Sequence, residues 1–213
     1  MSRINIAVMV SGHGRGSNMQ AIIDACGDGR IDGQVAVVIG TRDDAPAMDR
    51  ARLQDIGTIE VNPKLFNDDD EYGRKLLNTL TKYKIDLICL AGYMRMLPSM
   101  LISAYRYSIM NIHPALLPAF CGKGMYSQNV HNAVLTYGAK VSGCTVHFVD
   151  EEYDTGPIII QKVAFVKEGD TIETLAARIL IQEHIAYPEA IQLFAKNRLH
   201  TEGRIVHVLP FDN

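Results

Sequence analysis

Hydrophobic residues in the first half of the chain form short apolar runs separated by amphipathic stretches. The runs lie at residues 4–10, 34–39, 58–61 and 85–91, and each contains at most one charged residue. Such runs, without alternation, predict strands buried on both faces, as in a parallel sheet. Helical periodicity marks 45–56 and a stretch that opens near residue 66 with carboxylates suited to a helix N-terminus. Four strand–helix repeats predict an open, mostly parallel, twisted α/β sheet with helices on both faces.

The second half of the chain shows fewer repeats and one long helical pattern. A helix is predicted at 129–137, and two neighbouring strands at 141–149 and 158–166 are joined through the turn at 155–157. Asp170 and Glu173 have the spacing of a capping box for a helix that extends to residue 196, with a kink expected at Pro188. One edge strand is predicted at 203–209.

The composition indicates a water-soluble chain with a small partner. Of its 213 residues, 47% are hydrophobic and 21% are charged, which is enough apolar surface for a sizeable core. A net charge of −3 with scattered signs provides no basic patch for nucleic acid or an anionic membrane. No stretch approaches the roughly 20 apolar residues of a membrane span, and no secretory signal precedes the first strand. We therefore predict a cytoplasmic protein without nucleic-acid or membrane partners.

The four cysteines lie far apart and include no C-x-x-C pair. They are Cys26, Cys89, Cys121 and Cys144. This spacing argues against a zinc site and is typical of reduced, structural thiols. No metal site is predicted.

A glycine-rich segment at 11–18 follows the first strand and precedes a helical pattern. Free backbone N–H groups and the helix dipole make this arrangement suited to binding a phosphate. The segment has no G-K-[ST] sequence, and Ser17 interrupts G-x-G-x-x-G, so neither a Walker A loop nor a dinucleotide fingerprint is present. We expect phosphate binding here; a tight turn without a ligand is the alternative.

Asn111 and His113 follow an apolar run and precede two prolines, Pro114 and Pro118. Residues two apart in a strand point to the same face, so both side chains can reach one reacting atom. Further along the chain, residues 150–154 contain four carboxylates, whose mutual repulsion a cation would relieve. We expect His113 to be that cation, with its pKa raised by the carboxylates. A structural histidine is the alternative.

The residue types allow roles to be assigned. Asn111 can donate an N–H to a developing oxyanion, His113 can donate a proton or a hydrogen bond, and Asp154 can orient His113. No serine or cysteine stands in a nucleophile context, which favours direct transfer between two bound substrates.

Two further groups of residues have open interpretations. Tyr93, Met94, Met96 and Leu97 form a loop that either packs under a helix or lines a pocket for a flat aromatic ligand. His131, in the predicted helix at 129–137, is expected at the surface.

Three motifs together resemble the signature of the folate-dependent formyltransferases. They are segments 111–118, 143–149 and 154–157; with 11–20, 91–97 and 182–184 added, the resemblance covers nearly the whole chain. It implies transfer of the formyl group of 10-formyltetrahydrofolate, a co-substrate, to the amine of glycinamide ribonucleotide, the third step of de novo purine synthesis. It also implies the formyltransferase fold with a Rossmann-like N-terminal half.

The resemblance implies site residues and a domain organisation as well. The catalytic residues would be Asn111, His113 and Asp154, and the ribonucleotide would contact Gly16, Ser17, Asn18 and Glu183. The folate would contact Met94, Arg95, Met96, Leu97, Asn111, Asp150, Glu151, Glu152 and Tyr153. Residues 1–213 would form a single domain, with a nucleotide- or phosphate-binding half at 1–100 and a catalytic, folate-binding half at 101–213.

Three positions depart from the family pattern. The glycine-rich segment is two residues longer than the common form, and this lengthening introduces Arg15. Leu180 stands where relatives carry a polar or basic residue, and Asp69 stands where some relatives carry an arginine near the folate tail. The last two departures are expected to weaken contacts to the substrates.

Other functions compete with this interpretation. A formyltetrahydrofolate deformylase would hand the formyl group to water, and it usually carries an extra N-terminal domain. A methionyl-tRNA formyltransferase would need a C-terminal RNA-binding domain and a basic surface. A non-catalytic folate- or nucleotide-binding protein is the alternative from another class. A homodimer is compatible with the sequence.

Overall fold

The computed structural model describes residues 3–12 and 14–210. His13, part of the predicted phosphate loop, lies outside the described residues. Two compact units divide the chain, Met1–Met110 and Asn111–Asn213. The strands are β1 (Ile4–Val10), β2 (Gly33–Gly40), β3 (Thr58–Glu60), β4 (Leu87–Leu90), β5 (Ile109–His113), β6 (Val141–Phe148), β7 (Ile158–Phe165), β8 (Leu199–Glu202) and β9 (Ile205–Val208). The helices are α1 (Ser17–Gly27), α2 (Pro46–Arg52), α3 (Asp69–Lys82), α4 (Ser99–Ala104), α5 (Gln128–Tyr137) and α6 (Ile172–Ala195).

The first unit is built from parallel strands. Strand β1 pairs with β2 and β4, and β2 pairs with β3, all in parallel. Residues 6–9 of β1 have no exposed surface, as expected for a strand covered on both faces. The predicted α/β fold with a mostly parallel sheet flanked by helices is confirmed.

The second unit carries its strands in the order β5, β6, β7, β9, β8. Strands β6 and β7 are antiparallel, and Thr145 stands opposite Gln161 in their register. Strand β7 meets β9 in parallel at one pair of residues, and β8 and β9 form an antiparallel hairpin. Helix α6 packs against both β6 and β7.

Several element boundaries differ from the sequence prediction. Helix α2 ends at Arg52 rather than residue 56, and helix α4 was not predicted because it spans only six residues. The predicted edge strand at 203–209 is the second half of a hairpin, whose turn contains Gly203 with φ +58°.

The start of helix α6 lies one residue later than predicted. Thr171 is the N-cap, and Thr171 and Thr174 form the reciprocal capping box. Asp170 instead pairs with Arg178, at 2.7 Å between Oδ2 and Nη1. The predicted pairing of Asp170 with Glu173 is therefore wrong. The Thr174 side chain accepts from the backbone N–H of the N-cap residue, the role expected of Glu173.

None of the helices in the described part of the chain combines the length and apolar character needed to cross a bilayer.

Candidate functional site

Strand β5 places Asn111 and His113 two residues apart, on one face of the second unit's sheet. His113 is buried, with 3% of its surface exposed, and Asn111 is half-buried. The apolar residues Met110 and Ile112 alternate with them and are also buried, so the strand is covered on both faces.

Asp154 reaches these two residues from the loop that follows β6. Its backbone has φ +57°, a left-handed conformation that is uncommon for a residue other than glycine. Asp154 Oδ1 lies 3.5 Å from Asn111 Nδ2, and Oδ2 lies 3.6 Å from His113 Nδ1. The backbone N–H of Gly122 donates to Oδ2 at 3.0 Å. The second unit therefore brings the amide, the imidazole and the carboxylate together.

His147 is a fourth member of this cluster that sequence reasoning did not single out. Its Nδ1–H donates to the Phe148 carbonyl at 2.7 Å, which leaves Nε2 as an acceptor in the neutral ring. Asn111 Nδ2 donates to that Nε2 at 3.2 Å, and Asp154 Oδ1 lies 3.8 Å from it. His147 therefore determines which way the Asn111 amide points. His147 lies in segment 143–149, one of the motifs that carry the family resemblance, but nothing in the sequence marked it as a partner of Asn111.

The imidazole of His113 is held by a backbone carbonyl. Nε2–H donates to the Phe120 carbonyl at 2.8 Å, so Nδ1 is the nitrogen that faces Asp154. Burial lowers the pKa of His113, and the charge of Asp154 opposes this without reversing it. The expectation of a raised pKa and a resting cation at His113 is therefore wrong, because desolvation outweighs the nearby carboxylate.

Asp154 is half-buried, with 11% of its side chain exposed. Burial alone would raise its pKa, but His147, His113 and the Gly122 N–H outweigh burial, and the net shift is downward. Because the folded-state pKa lies below the ordinary value, Asp154 is ionised at neutral pH. Its stabilising contribution is present above the unfolded pKa and is lost as the pH falls through the folded one.

The rest of the acidic loop is arranged around Thr155. Asp150 Oδ1 accepts from Thr155 Oγ1 at 2.6 Å, and Arg204 Nη2 donates to the Thr155 carbonyl at 2.6 Å. Glu151, Glu152 and Tyr153 are exposed. Both glutamates are therefore open to solvent, which screens their charges.

His131 is buried, with 5% of its surface exposed, so the prediction of a surface histidine is wrong. It lies on the face of α5 that also buries Val130 and Val134. Burial, and then the proximity of His113, lower the pKa of His131.

The predicted phosphate-binding residues lie at the start of α1 in the first unit. Gly16 has φ +72°, and a Cβ there would lie 2.9 Å from the Ala47 Cβ. Ser17 and Asn18 form the first turn of the helix, at the positive end of its dipole. Ser11 Oγ donates to the Gly92 carbonyl at 2.6 Å, which ties this segment to the loop after β4.

The loop after β4 is half buried and half exposed. Tyr93 is buried and shares a 2.6 Å hydrogen bond with the Tyr72 hydroxyl, and Leu97 is also buried. Met94 is exposed and Met96 is half-buried. Arg95 lies over the Tyr72 ring and pairs with Asp69 at 2.5 Å. The guanidinium of Arg95 is therefore already ion-paired with Asp69.

Glu183 lies on the buried side of α6, with 8% of its surface exposed. Burial raises the pKa of the Cys144 thiol to about 12, and the charge of Glu183 contributes to that shift. Glu183 therefore faces strand β6. All four cysteines are free thiols, and no cluster that could hold a metal occurs among residues 3–12 and 14–210.

Replacement of Gly156 by alanine is expected to destabilise the fold by about 1–3 kcal/mol through overpacking. A Cβ at this position would lie 1.8 Å from the Phe148 backbone oxygen, the acceptor of the His147 bond. Urea unfolding measures the change. Gly27→Ala is the matched control, because a Cβ added there would have no atom within 4 Å apart from its chain neighbours and the backbone of its own helix. Equal midpoints for the two variants would contradict the expected overpacking.

Comparison with known proteins places this arrangement in a family. Residues 4–191 match the formyl transferase family model. The chain is 42% identical over 199 residues to the chloroplastic phosphoribosylglycinamide formyltransferase of Arabidopsis thaliana, covering 92% of this chain and 67% of that protein. It is 39% identical over 196 residues to the phosphoribosylglycinamide formyltransferase of Escherichia coli K12, covering 92% and 89%.

Solved structures are similar over nearly the whole chain. The glycinamide ribonucleotide transformylase 1 of Symbiobacterium toebii matches with a TM-score of 0.92 and 46% identity, covering 98% of this chain and 95% of that one. A formyltetrahydrofolate deformylase of Pseudomonas syringae has a TM-score of 0.85 at 24% identity, which shows the fold alone. Some curated relatives are much longer, and this chain spans 20% of the human trifunctional purine biosynthetic protein adenosine-3.

Proposed function

The chain belongs to the formyl transferase family, and we propose that it transfers a formyl group to the amine of glycinamide ribonucleotide in purine biosynthesis. The formyl donor of this family is 10-formyltetrahydrofolate. The observation that carries the proposal is the 46% identity, over nearly the full length of both chains, to a glycinamide ribonucleotide transformylase.

We propose Asn111, His113 and Asp154 as the catalytic residues. Both N–H bonds of the Asn111 amide point at acceptors, and the contact to Asp154, at 3.5 Å, is the weaker one. Release of that contact would let the amide donate to the oxyanion that forms when the amine attacks the formyl carbon.

The neutral state of His113 supports a role as a proton acceptor. Its Nδ1 lone pair faces the Asp154 carboxylate, an arrangement that becomes favourable once Nδ1 carries a proton. In the proposed reaction the amine attacks the formyl carbon. Its proton then passes to His113 Nδ1, directly or through water. The carbon–nitrogen bond to the folate then breaks as that proton moves to the leaving nitrogen. Asp154 stabilises the imidazolium between these two transfers.

We propose separate contacts for the two substrates. The backbone N–H groups of Gly16, Ser17 and Asn18 would hold the phosphate, because they lie at the start of α1, the positive end of the helix dipole. The Glu183 carboxylate would hold the ribonucleotide as well. The folate would contact residues of the β4 loop and of the acidic loop, namely Met94, Arg95, Met96, Leu97, Asp150, Glu151, Glu152 and Tyr153, as well as Asn111.

We also propose the cytoplasm as its compartment, supported by the four free cysteines. Its substrates would be small molecules, since a net charge of −3 does not favour nucleic acid. A homodimer is the assembly to test by sedimentation.

The purified chain is expected to form formylated glycinamide ribonucleotide and tetrahydrofolate in equal amounts from the two substrates. Product formation is followed by the absorbance of the released folate and by mass spectrometry. Release of formate at the same rate with and without the ribonucleotide would instead indicate a deformylase. Absence of both products would indicate a binding protein without catalytic activity.

A further inference from the structure

Thr145 is a fully buried hydroxyl on β6 whose hydrogen-bonding capacity is completely used. Oγ1 donates to the Ala115 carbonyl at 2.7 Å and accepts from the Leu117 backbone N–H at 3.0 Å. Its second acceptor position takes a bond from Gln161 Nε2, also at 3.0 Å. A hydroxyl has one donor and two acceptor sites, so none of its hydrogen-bonding sites is left for a ligand.

Gln161, on the neighbouring strand β7, also holds the loop at residues 115–117. It stands directly opposite Thr145 in the β6–β7 register, and its Nε2 also donates to the Leu117 carbonyl at 3.0 Å. Two residues before Thr145, Gly143 leaves room for the Leu116 side chain, since a Cβ there would lie 2.8 Å from Leu116 Cδ2. Residues 115–117 are therefore fixed by three hydrogen bonds and one packing contact to one face of this strand pair.

These three residues connect the two groups that hold His113. The segment begins two residues after His113 itself, and it ends three residues before Phe120, whose carbonyl accepts from His113 Nε2. The same loop continues to Gly122, whose N–H donates to Asp154. A shift of residues 115–117 would move both the acceptor for His113 and the donor for Asp154.

We infer that Thr145 and Gln161 are positioning residues for His113: they fix the loop at 115–117 and thereby hold the Phe120 carbonyl against Nε2 of the imidazole. This inference rests on the proposed function for its kinetic part only. The orientation of the ring is a property of the protein without substrates.

The test compares Thr145→Val, which removes the hydroxyl at equal volume, with Thr145→Ser, which keeps it. We expect Thr145→Val to lower kcat about ten- to hundredfold with a small change in KM, because misplacement of a reacting group acts on the chemical step. We expect Thr145→Ser to stay within about threefold of the parent protein, since the three hydrogen bonds remain. Thr201→Val on β8 makes the same chemical change away from the loop.

A second readout does not depend on activity. Nitrogen NMR of the His113 ring is expected to show a weakened Nε2–H bond and an altered titration in Thr145→Val but not in Thr145→Ser. The ionisable groups near this ring are Asp154, His147 and His131, and all three are unchanged in both variants.

Gln161→Met keeps the test decisive if Thr145→Val does not fold, because the side chain of Gln161 lies at the surface. It is expected to lower kcat about three- to tenfold, and its effect should not add to that of Thr145→Val because both act on Leu117. Folded variants with unchanged kcat and unchanged His113 resonances would overturn the inference, as would equal losses in Thr145→Val and Thr145→Ser. A parent protein without formyl transfer would overturn the proposed function, while the resonances would still decide the positioning role.

Discussion

Replacement of His113 by alanine is expected to lower kcat on the order of a hundredfold to ten-thousandfold, the range for loss of a general acid–base group. The imidazole is buried, its Nε2 is fixed by the Phe120 carbonyl, and its Nδ1 faces Asp154. Alanine removes the proposed proton acceptor and leaves both the carbonyl and the carboxylate without this partner. Steady-state and single-turnover rates with saturating substrates measure the effect.

The control for this variant is His200→Ala, which removes an exposed histidine from the β8–β9 hairpin. Circular dichroism and thermal melting establish that both variants are folded. A folded His113→Ala protein that retains the kcat of the His200→Ala protein would exclude His113 from the chemical step.

Replacement of Asp154 by asparagine is expected to lower kcat on the order of a hundredfold or more, because it removes the charge that stabilises an imidazolium. The amide is nearly isosteric and can still accept from the Gly122 N–H. With that oxygen on the Gly122 N–H, the NH₂ group takes the position of Oδ1, where it faces Asn111 and His147 rather than His113 Nδ1. Glu168→Gln, the same chemical change at an exposed position, is the control.

The same variant has a signed effect on protonation. The Asp154 carboxylate raises the pKa of His113 against the larger lowering by burial. Without that charge, the pKa of His113 is expected to fall further below its ordinary value, because the protonated ring loses a stabilising interaction that the neutral ring does not need. NMR titration of the unliganded variant measures this shift. A His113 pKa that is unchanged or higher in Asp154→Asn would show that the two groups are not coupled.

Local patterns in the sequence predicted much of the fold. The unalternated apolar run at 4–10 became a strand covered on both faces, and its parallel pairing with β2 and β4 follows from the strand–helix repeats. The alternation at Met110, Asn111, Ile112 and His113 predicted that the amide and the imidazole share a face. Short elements such as α4 were missed because six residues carry little periodic signal.

The distances and contacts among residues far apart in the chain required the tertiary structure. Asp154 lies 43 residues from Asn111 in the chain, and no period connects them, yet packing brings the carboxylate to 3.5 Å from the amide. His147 was not predicted because one histidine in an apolar strand has no local signature of its partners. His131 was predicted at the surface because helix periodicity alone did not reveal which face α5 buries.

The sequence by itself determined the fold class, the order of most of the strands and helices, and the residue types available for formyl transfer. Only the tertiary structure decided that His113 is neutral at rest, with Nε2 on a backbone carbonyl and Nδ1 facing Asp154. The physical reason is that periodicity depends on neighbours along the chain. The protonation of an imidazole depends on how much water its surroundings exclude and on charges that folding brings near.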